Sequence, residues 1–190
     1  GPLRPSESDM SMAQLAPEWD CSVWLNSDQP LILAALRGKP IVAAAFQMLC
    51  PGCVSITIPQ LNEVRELFSP DTVTVLGLHS VFEHHEAMRE PSLRAFLHEY
   101  QVRFPVGIDR YEGEDPLPVT MRRYGFQGTP TLMLIDARGV VRRQTFGHVP
   151  AMQLGAEIMA LLRDADAGLE NGEQGRAAAS RRCEVGGDAC

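Results

Sequence analysis

No stretch of this sequence approaches the ~18 consecutive apolar residues that a membrane-crossing helix needs. A membrane span is therefore not expected. Positive charge is short as well: 17 Lys and Arg stand against 24 Asp and Glu, a net charge of −7. That balance excludes a nucleic-acid partner, because a phosphate backbone calls for a basic face. Residues 3–11 are polar and lack the apolar core of a secretory leader. The expected compartment is thus the cytoplasm, or the periplasm if a leader has been removed. Gly1-Pro2 reads as the scar of a cleaved tag, with Met10 or Met12 as the native start. A disulfide framework is lacking too: the five cysteines, Cys21, Cys50, Cys53, Cys183 and Cys190, are odd in number and scattered except for one close pair. Such a pair suits redox or metal chemistry.

What is present suits one globular domain. Hydrophobic residues make up 45% and charged residues 22% of 190. Residues 1–11 read as a disordered leader, 12–164 as the domain, and 165–190 as a disordered, cysteine-containing tail poor in large apolar residues. Between Ala16 and Leu36, apolar pieces around Val23-Trp24-Leu25 and Leu31-Ile32-Leu33 flank Asn26-Ser27-Asp28, which predicts a small hairpin. Ile41–Phe46 is a continuous apolar run, the pattern of a strand buried on both faces.

A helix is predicted from Pro51 to Phe68, kinked at Pro59 and weakened by the β-branched residues Val54, Ile56, Thr57 and Ile58. Strands follow at Thr72–Leu78 and Phe104–Ile108, with a helix at Pro91–Tyr100 between them. A short helix is expected at Val119–Tyr124. Thr131–Ile135 and Val140–Phe146 form a hairpin around Gly139, and Ala151–Leu162 forms a final helix. The order predicts an α/β protein with a mixed central sheet.

The chemistry concentrates at Cys50-Pro51-Gly52-Cys53, where a buried strand hands over to a helix. Unpaired N–H groups and the positive end of the helix dipole favour a thiolate at Cys50. Cys53 lies one helical turn further along the same face and is the more shielded. This predicts Cys50 as nucleophile and Cys53 as resolving thiol. Half a zinc site is the competing reading, but Cys183 and Cys190 are seven apart with no His near them.

These residues resemble a known family. Ile41–Gln60, with Phe46 and the two cysteines, is similar to the active-site region of the thioredoxin superfamily. Gly128-Thr129-Pro130-Thr131 resembles its cis-proline loop, about 80 residues after the cysteines. Phe104-Pro105-Val106 and Tyr124-Gly125-Phe126 resemble the inserted segment of the TlpA/ResA-like and redoxin (AhpC/TSA-like) branch. The resemblance implies a thioredoxin fold with a mixed sheet flanked by helices, the N-terminal hairpin and an inserted strand–helix segment. It implies a cis Thr129–Pro130 bond that sets the Thr129 backbone beside Cys50. Thr129, Pro130, Leu49, Pro51 and Gly52 are then the substrate-binding surface. No cofactor is implied beyond a redox-active Cys50–Cys53 disulfide. The partners are a protein or small-molecule disulfide and a thiol electron donor.

The chain departs from the family pattern at three places. Leu49 stands where a Trp is usual, and Ala44 where thioredoxins bury an acid. Pro59 follows Cys53 by six residues rather than five. Something else must then take the proton of the resolving thiol. His79, just past a strand end, and His84 are the candidates for tuning the thiols; a solvated loop or a His79, His84 and His85 metal site are the alternatives. Cys183 and Cys190 are candidate auxiliary thiols, since a coil of ~20 residues reaches ~25 Å. No metal site is assigned.

Three functions compete. Disulfide exchange through the CPGC dithiol is favoured. A thiol peroxidase is the first alternative, although Gln47 and Ala43 replace the Thr and Pro that redoxin peroxidases carry before the cysteine. A metal-binding thioredoxin-fold chaperone is the second, although such carriers space their cysteines one residue further apart.

Overall fold

The computed structural model describes residues 15–183, with side-chain surroundings given to Leu169. Its centre is β2 (Ile41–Phe46), every residue of which is buried. Alternate side chains enter two separate cores: Val42, Ala44 and Phe46 on one face, and Ile41, Ala43 and Ala45 on the other. Small alanines let helices and loops approach a strand covered on both sides. β2 pairs in parallel with β3 (Thr74–His79), from Ile41 opposite Thr74 to Phe46 opposite His79. Its other edge pairs antiparallel with β5 (Thr131–Ile135). β6 (Val141–Phe146) extends the sheet beyond β5. β4 (Val106–Asp109) lies parallel to β3, and β1 (Cys21–Leu25) lies antiparallel to β4. The order is β1-β4-β3-β2-β5-β6, a mixed six-stranded sheet.

Two glycines let side chains press close against this sheet. A Cβ at Gly77 would fall 2.9 Å from the Phe46 ring, and one at Gly107 would fall 2.6 Å from the Cys21 sulfur and 2.9 Å from Trp24. The β5–β6 turn has Gly139 at φ 90, as its bulge position predicts. The buried Asp136 carboxylate accepts the N–H groups of Arg138 and Val140 there.

Among the described residues four α-helices complete the fold: α1 (Ile58–Leu67), α2 (Glu90–Glu99), α3 (Val119–Tyr124) and α4 (Ala151–Cys183). Three expectations are corrected. The N-terminal hairpin is absent, because β1 spends its backbone bonds on β4. The second apolar piece instead becomes a short 3₁₀ turn at Leu33–Leu36, held by the Glu18 carboxylate on the N–H groups of Leu33 and Ala34.

The helix expected from Pro51 to Phe68 is not continuous in register. Cys53–Thr57 is a π-helical turn, in which the Ile58 N–H donates to the Cys53 carbonyl five residues back. The one-residue slip comes just before Pro59, which has no N–H to place and sits in the first turn of α1. The extra residue between Cys53 and the proline is absorbed in this wider turn.

The last helix does not stop at Leu162 but runs to Cys183. Residues 163–183 hold no proline, and Ala and Arg, both good helix formers, are their commonest residues, which outweighs three glycines. The segment read as a disordered tail is therefore helical as far as Cys183, and Cys190 lies outside the described residues.

Candidate active site

The end of β2 sets the geometry. After Phe46 the chain turns through Gln47, Met48 and Leu49, and the Cys50 N–H closes the turn on the Gln47 carbonyl at 3.1 Å. Helical structure begins at Pro51, whose fixed φ suits a first turn. The Cys53 N–H, one of the donors left free at a helix start, points at the Cys50 sulfur at 3.4 Å. The two sulfurs are 2.7 Å apart. Cys50 is half-buried, whereas Cys53 is fully buried. Burial, followed by the hydrogen bond to Cys50, pushes the Cys53 thiol up to about 12.

The Thr129–Pro130 loop faces the pair across a cis peptide bond. The Cys50 sulfur lies 3.4 Å from the Thr129 carbonyl. A Cβ at Gly52 would meet the Pro130 ring at 3.7 Å, so the two motifs are in near contact. Leu49 is 54% exposed and Pro51 is exposed, so both stand on the rim. Cys50, Cys53, Gly52, Thr129 and Pro130 are thus brought together. Ala44 is fully buried in the same apolar cluster as Cys53.

The histidines part company. His79 is buried at the end of β3, where its Nε2 accepts the Met48 N–H at 3.2 Å and its ring packs on Phe46. Burial lowers its pKa to about 4, and the bond to Met48 places its proton on Nδ1. It supports the backbone two residues before Cys50. His84 is exposed, with φ 48, at the start of a 3₁₀ turn. His85 instead meets the Pro116 carbonyl and the Tyr111 ring. Among the described residues, no three His, Cys, Asp or Glu side chains group closely enough to hold a metal ion. Cys21 lies in β1, its thiol pushed up by burial.

One residue at the site was not anticipated as part of it. Gln47 is 1% exposed, and its amide joins three segments. Its Nε2 donates to the Thr129 hydroxyl at 3.0 Å, and its Oε1 accepts the Phe82 N–H at 3.2 Å. The available signal was a polar side chain directly continuing an all-apolar strand, because a buried amide must find partners.

Comparison with known proteins agrees with this geometry. A model of the AhpC/TSA family matches residues 12–144. Among solved structures, a thioredoxin-like superfamily protein is 55% identical over 78% of this chain and 96% of its own, with a TM-score of 0.76. A thiol-disulfide isomerase from Corynebacterium glutamicum is 40% identical over 77% of this chain and 96% of its own, with a TM-score of 0.74. A thioredoxin-family thiol:disulfide interchange protein from Chlorobium tepidum is 20% identical over 85% of this chain and 99% of its own, with a TM-score of 0.60, and shares the fold. No curated protein matches. No helix among the described residues is long and apolar enough to cross a membrane. Family match, sheet order and a thiol pair at the end of the central strand agree, and the chain belongs to the AhpC/TSA family of the thioredoxin superfamily.

Proposed function

We propose that the protein is a thiol–disulfide oxidoreductase in which Cys50 and Cys53 form the working dithiol. The observation that carries this reading is the asymmetry of two sulfurs in contact: 2.7 Å apart, one half-exposed and one fully buried. The half-exposed Cys50 attacks a substrate disulfide as thiolate. One substrate sulfur leaves as a thiol, and the other remains in a mixed disulfide with Cys50. Cys53 then attacks the Cys50 sulfur and expels the second substrate thiol, with its own proton passing to the leaving sulfur. The product is a Cys50–Cys53 disulfide, which a thiol electron donor reopens.

Leu49, Pro51 and Gly52 offer the substrate one wall, and Thr129 and Pro130 the other. The 40%-identical thiol-disulfide isomerase supports the same chemistry. His79 enters as a support of the Met48 backbone, and His84 stands exposed at the start of a 3₁₀ turn. Cys183 ends the last helix rather than lying on a coil, and Cys190 lies outside the described residues.

The AhpC/TSA match also covers peroxidases. Here, however, the residue three before Cys50 is Gln47, whose amide is held by Thr129 and Phe82. Reduced protein should be given insulin, hydrogen peroxide and Cu(I) in parallel, with Cys50→Ser as control. Insulin reduction that is lost in the variant supports the proposal. Rapid sulfenic acid formation at Cys50 without disulfide turnover would replace it with a peroxidase, and tight stoichiometric copper binding with a metal carrier.

A further inference from the structure

A cavity of about 210 Å³ shares His79 with the turn that leads to Cys50. His79 is 1% exposed, and its two ring nitrogens are placed differently. Nε2 accepts the Met48 N–H at 3.2 Å, so the ring hydrogen is on Nδ1. Among the described residues no protein group pairs with Nδ1. Nor is Nδ1 sealed off: among those residues, the fully enclosed side-chain nitrogen that lacks a partner belongs to Arg65. His79 lines the cavity, and its Nδ1–H therefore opens onto it as a buried donor with no protein acceptor.

The other polar groups of the wall are engaged elsewhere. His85 Nε2 meets the Pro116 carbonyl at 3.1 Å, the Tyr111 hydroxyl donates to the Val81 carbonyl, and the Ser22 hydroxyl donates to the Ile108 carbonyl. The Asp109 carboxylate already accepts the N–H groups of Thr120 and Met121 and the Ser80 hydroxyl. Helix α2 begins at the wall with Arg89 and Glu90, and no side chain caps it. The open N–H groups of this ten-residue helix give that end a partial positive charge. Arg89 is paired with Glu86, and Glu90 is drawn to Arg94 at 3.5 Å. With the Glu90 and Asp109 carboxylates on the wall, an occupant carries one negative charge more readily than two. Val23, Val81, Met88 and Ile108 make the rest of the wall apolar.

We propose that this cavity binds a short-chain monocarboxylate, with a carboxylate oxygen accepting the His79 Nδ1–H and the alkyl end against Val81, Met88 and Ile108. The carboxylate supplies the acceptor that Nδ1–H lacks. Its alkyl end suits apolar walls on which a strongly hydrated dianion such as sulfate would lose its water uncompensated. The cavity is several times the ~30 Å³ that one water takes up in the liquid. This site does not depend on the dithiol reading. It does reach the turn before Cys50 through one ring: an acceptor on Nδ1–H makes Nε2 the better acceptor for the Met48 N–H.

Propionate is the probe, titrated near neutral pH into the isotope-labelled full chain while NMR follows the His79 ring and the Met48 amide. Sodium chloride at equal ionic strength and propionamide, which keeps the shape without the charge, are the parallel arms. Propionate should move both resonances saturably, with half-saturation at about a millimolar, as befits a ligand of so few atoms. Propionamide should bind about tenfold more weakly or worse, because it forgoes the charge-assisted bond, and chloride should give no saturable shift. His79→Phe removes the donor and Val23→Phe fills the cavity from β1, and each should weaken propionate by about tenfold or more, read on the Met48 amide. Val23→Phe leaves the bond between His79 and Met48 in place, so it tests the site even if His79→Phe fails to fold. Shifts that rise without saturating, propionamide binding as tightly as propionate, an equal response to chloride, or undiminished binding in Val23→Phe would overturn the site.

Discussion

Acidification should loosen this protein through His79. In the folded chain its pKa is lowered to about 4 by burial, against 6.5 for the free side chain. Above pH ~7 the ring is neutral both folded and unfolded, so it adds no pH dependence. As the pH falls below ~6.5 the unfolded chain takes a proton that the folded chain refuses, and the unfolded state gains. The loss continues until the pH reaches ~4, where the folded ring is protonated as well. A difference of about 2.5 units at 1.36 kcal/mol each is about 3 kcal/mol, a sizeable share of a typical stability of 5–15 kcal/mol.

The assay is urea unfolding at a series of pH values, for the unmutated protein and for His79→Gln. Gln keeps an acceptor for the Met48 N–H but does not titrate. His79 lines a cavity with His85, Glu90, Asp109 and Tyr111. Burial raises the Asp109 pKa, which works in the opposite sense, favouring the folded state as pH falls. All four remain in both proteins, so they leave the difference largely unchanged. The gap between the two curves should change by about 3 kcal/mol from pH 7 to pH 4, in the direction of a shallower acid loss for Gln. Parallel curves would refute the reasoning. As the pH falls through ~4 the folded ring itself takes a proton and no longer accepts the Met48 N–H, so disulfide turnover should there fall more steeply in the unmutated protein than in the variant.

Three further outcomes follow from the geometry. Cys53→Ser should halt after the first attack, leaving a mixed disulfide on Cys50 that mass spectrometry reads as one substrate equivalent and that added thiol releases; free turnover would show Cys53 is not the resolving group. Gly107→Ala places a Cβ 2.6 Å from the Cys21 sulfur and 2.9 Å from Trp24. The overpacking should cost ~1–3 kcal/mol in denaturant unfolding, and no measurable loss would mean the β1 aromatics give way freely. Asp109→Ala strips the acceptor from the Thr120 and Met121 N–H groups and the Ser80 hydroxyl. With ~1–3 kcal/mol for each donor left unpaired, it should lower the melting temperature more than Gly107→Ala does; a smaller effect would show that water satisfies those donors.

The sequence showed most clearly what depends on near neighbours. The all-apolar β2, the thiols one helical turn apart and the Gly139 turn follow from local patterning, and the structure contains each of them. The hairpin error has the opposite cause. Trp24 has the alternation of a hairpin strand, but its partner is Gly107, 83 residues away, and no local pattern names it. The π-helical turn lies between these cases. A β-branched run and a displaced Pro59 signalled a disturbed helix, but not that the extra residue would widen one turn. Gln47 was hardest to see, because its meaning lies in Phe82 and Thr129, 35 and 82 residues distant. Both partners are needed to assign the amide. Ala44 thus reads differently in the folded chain than it does in isolation. It lies fully buried in the same apolar cluster as Cys53, so the central strand brings no acid to that thiol.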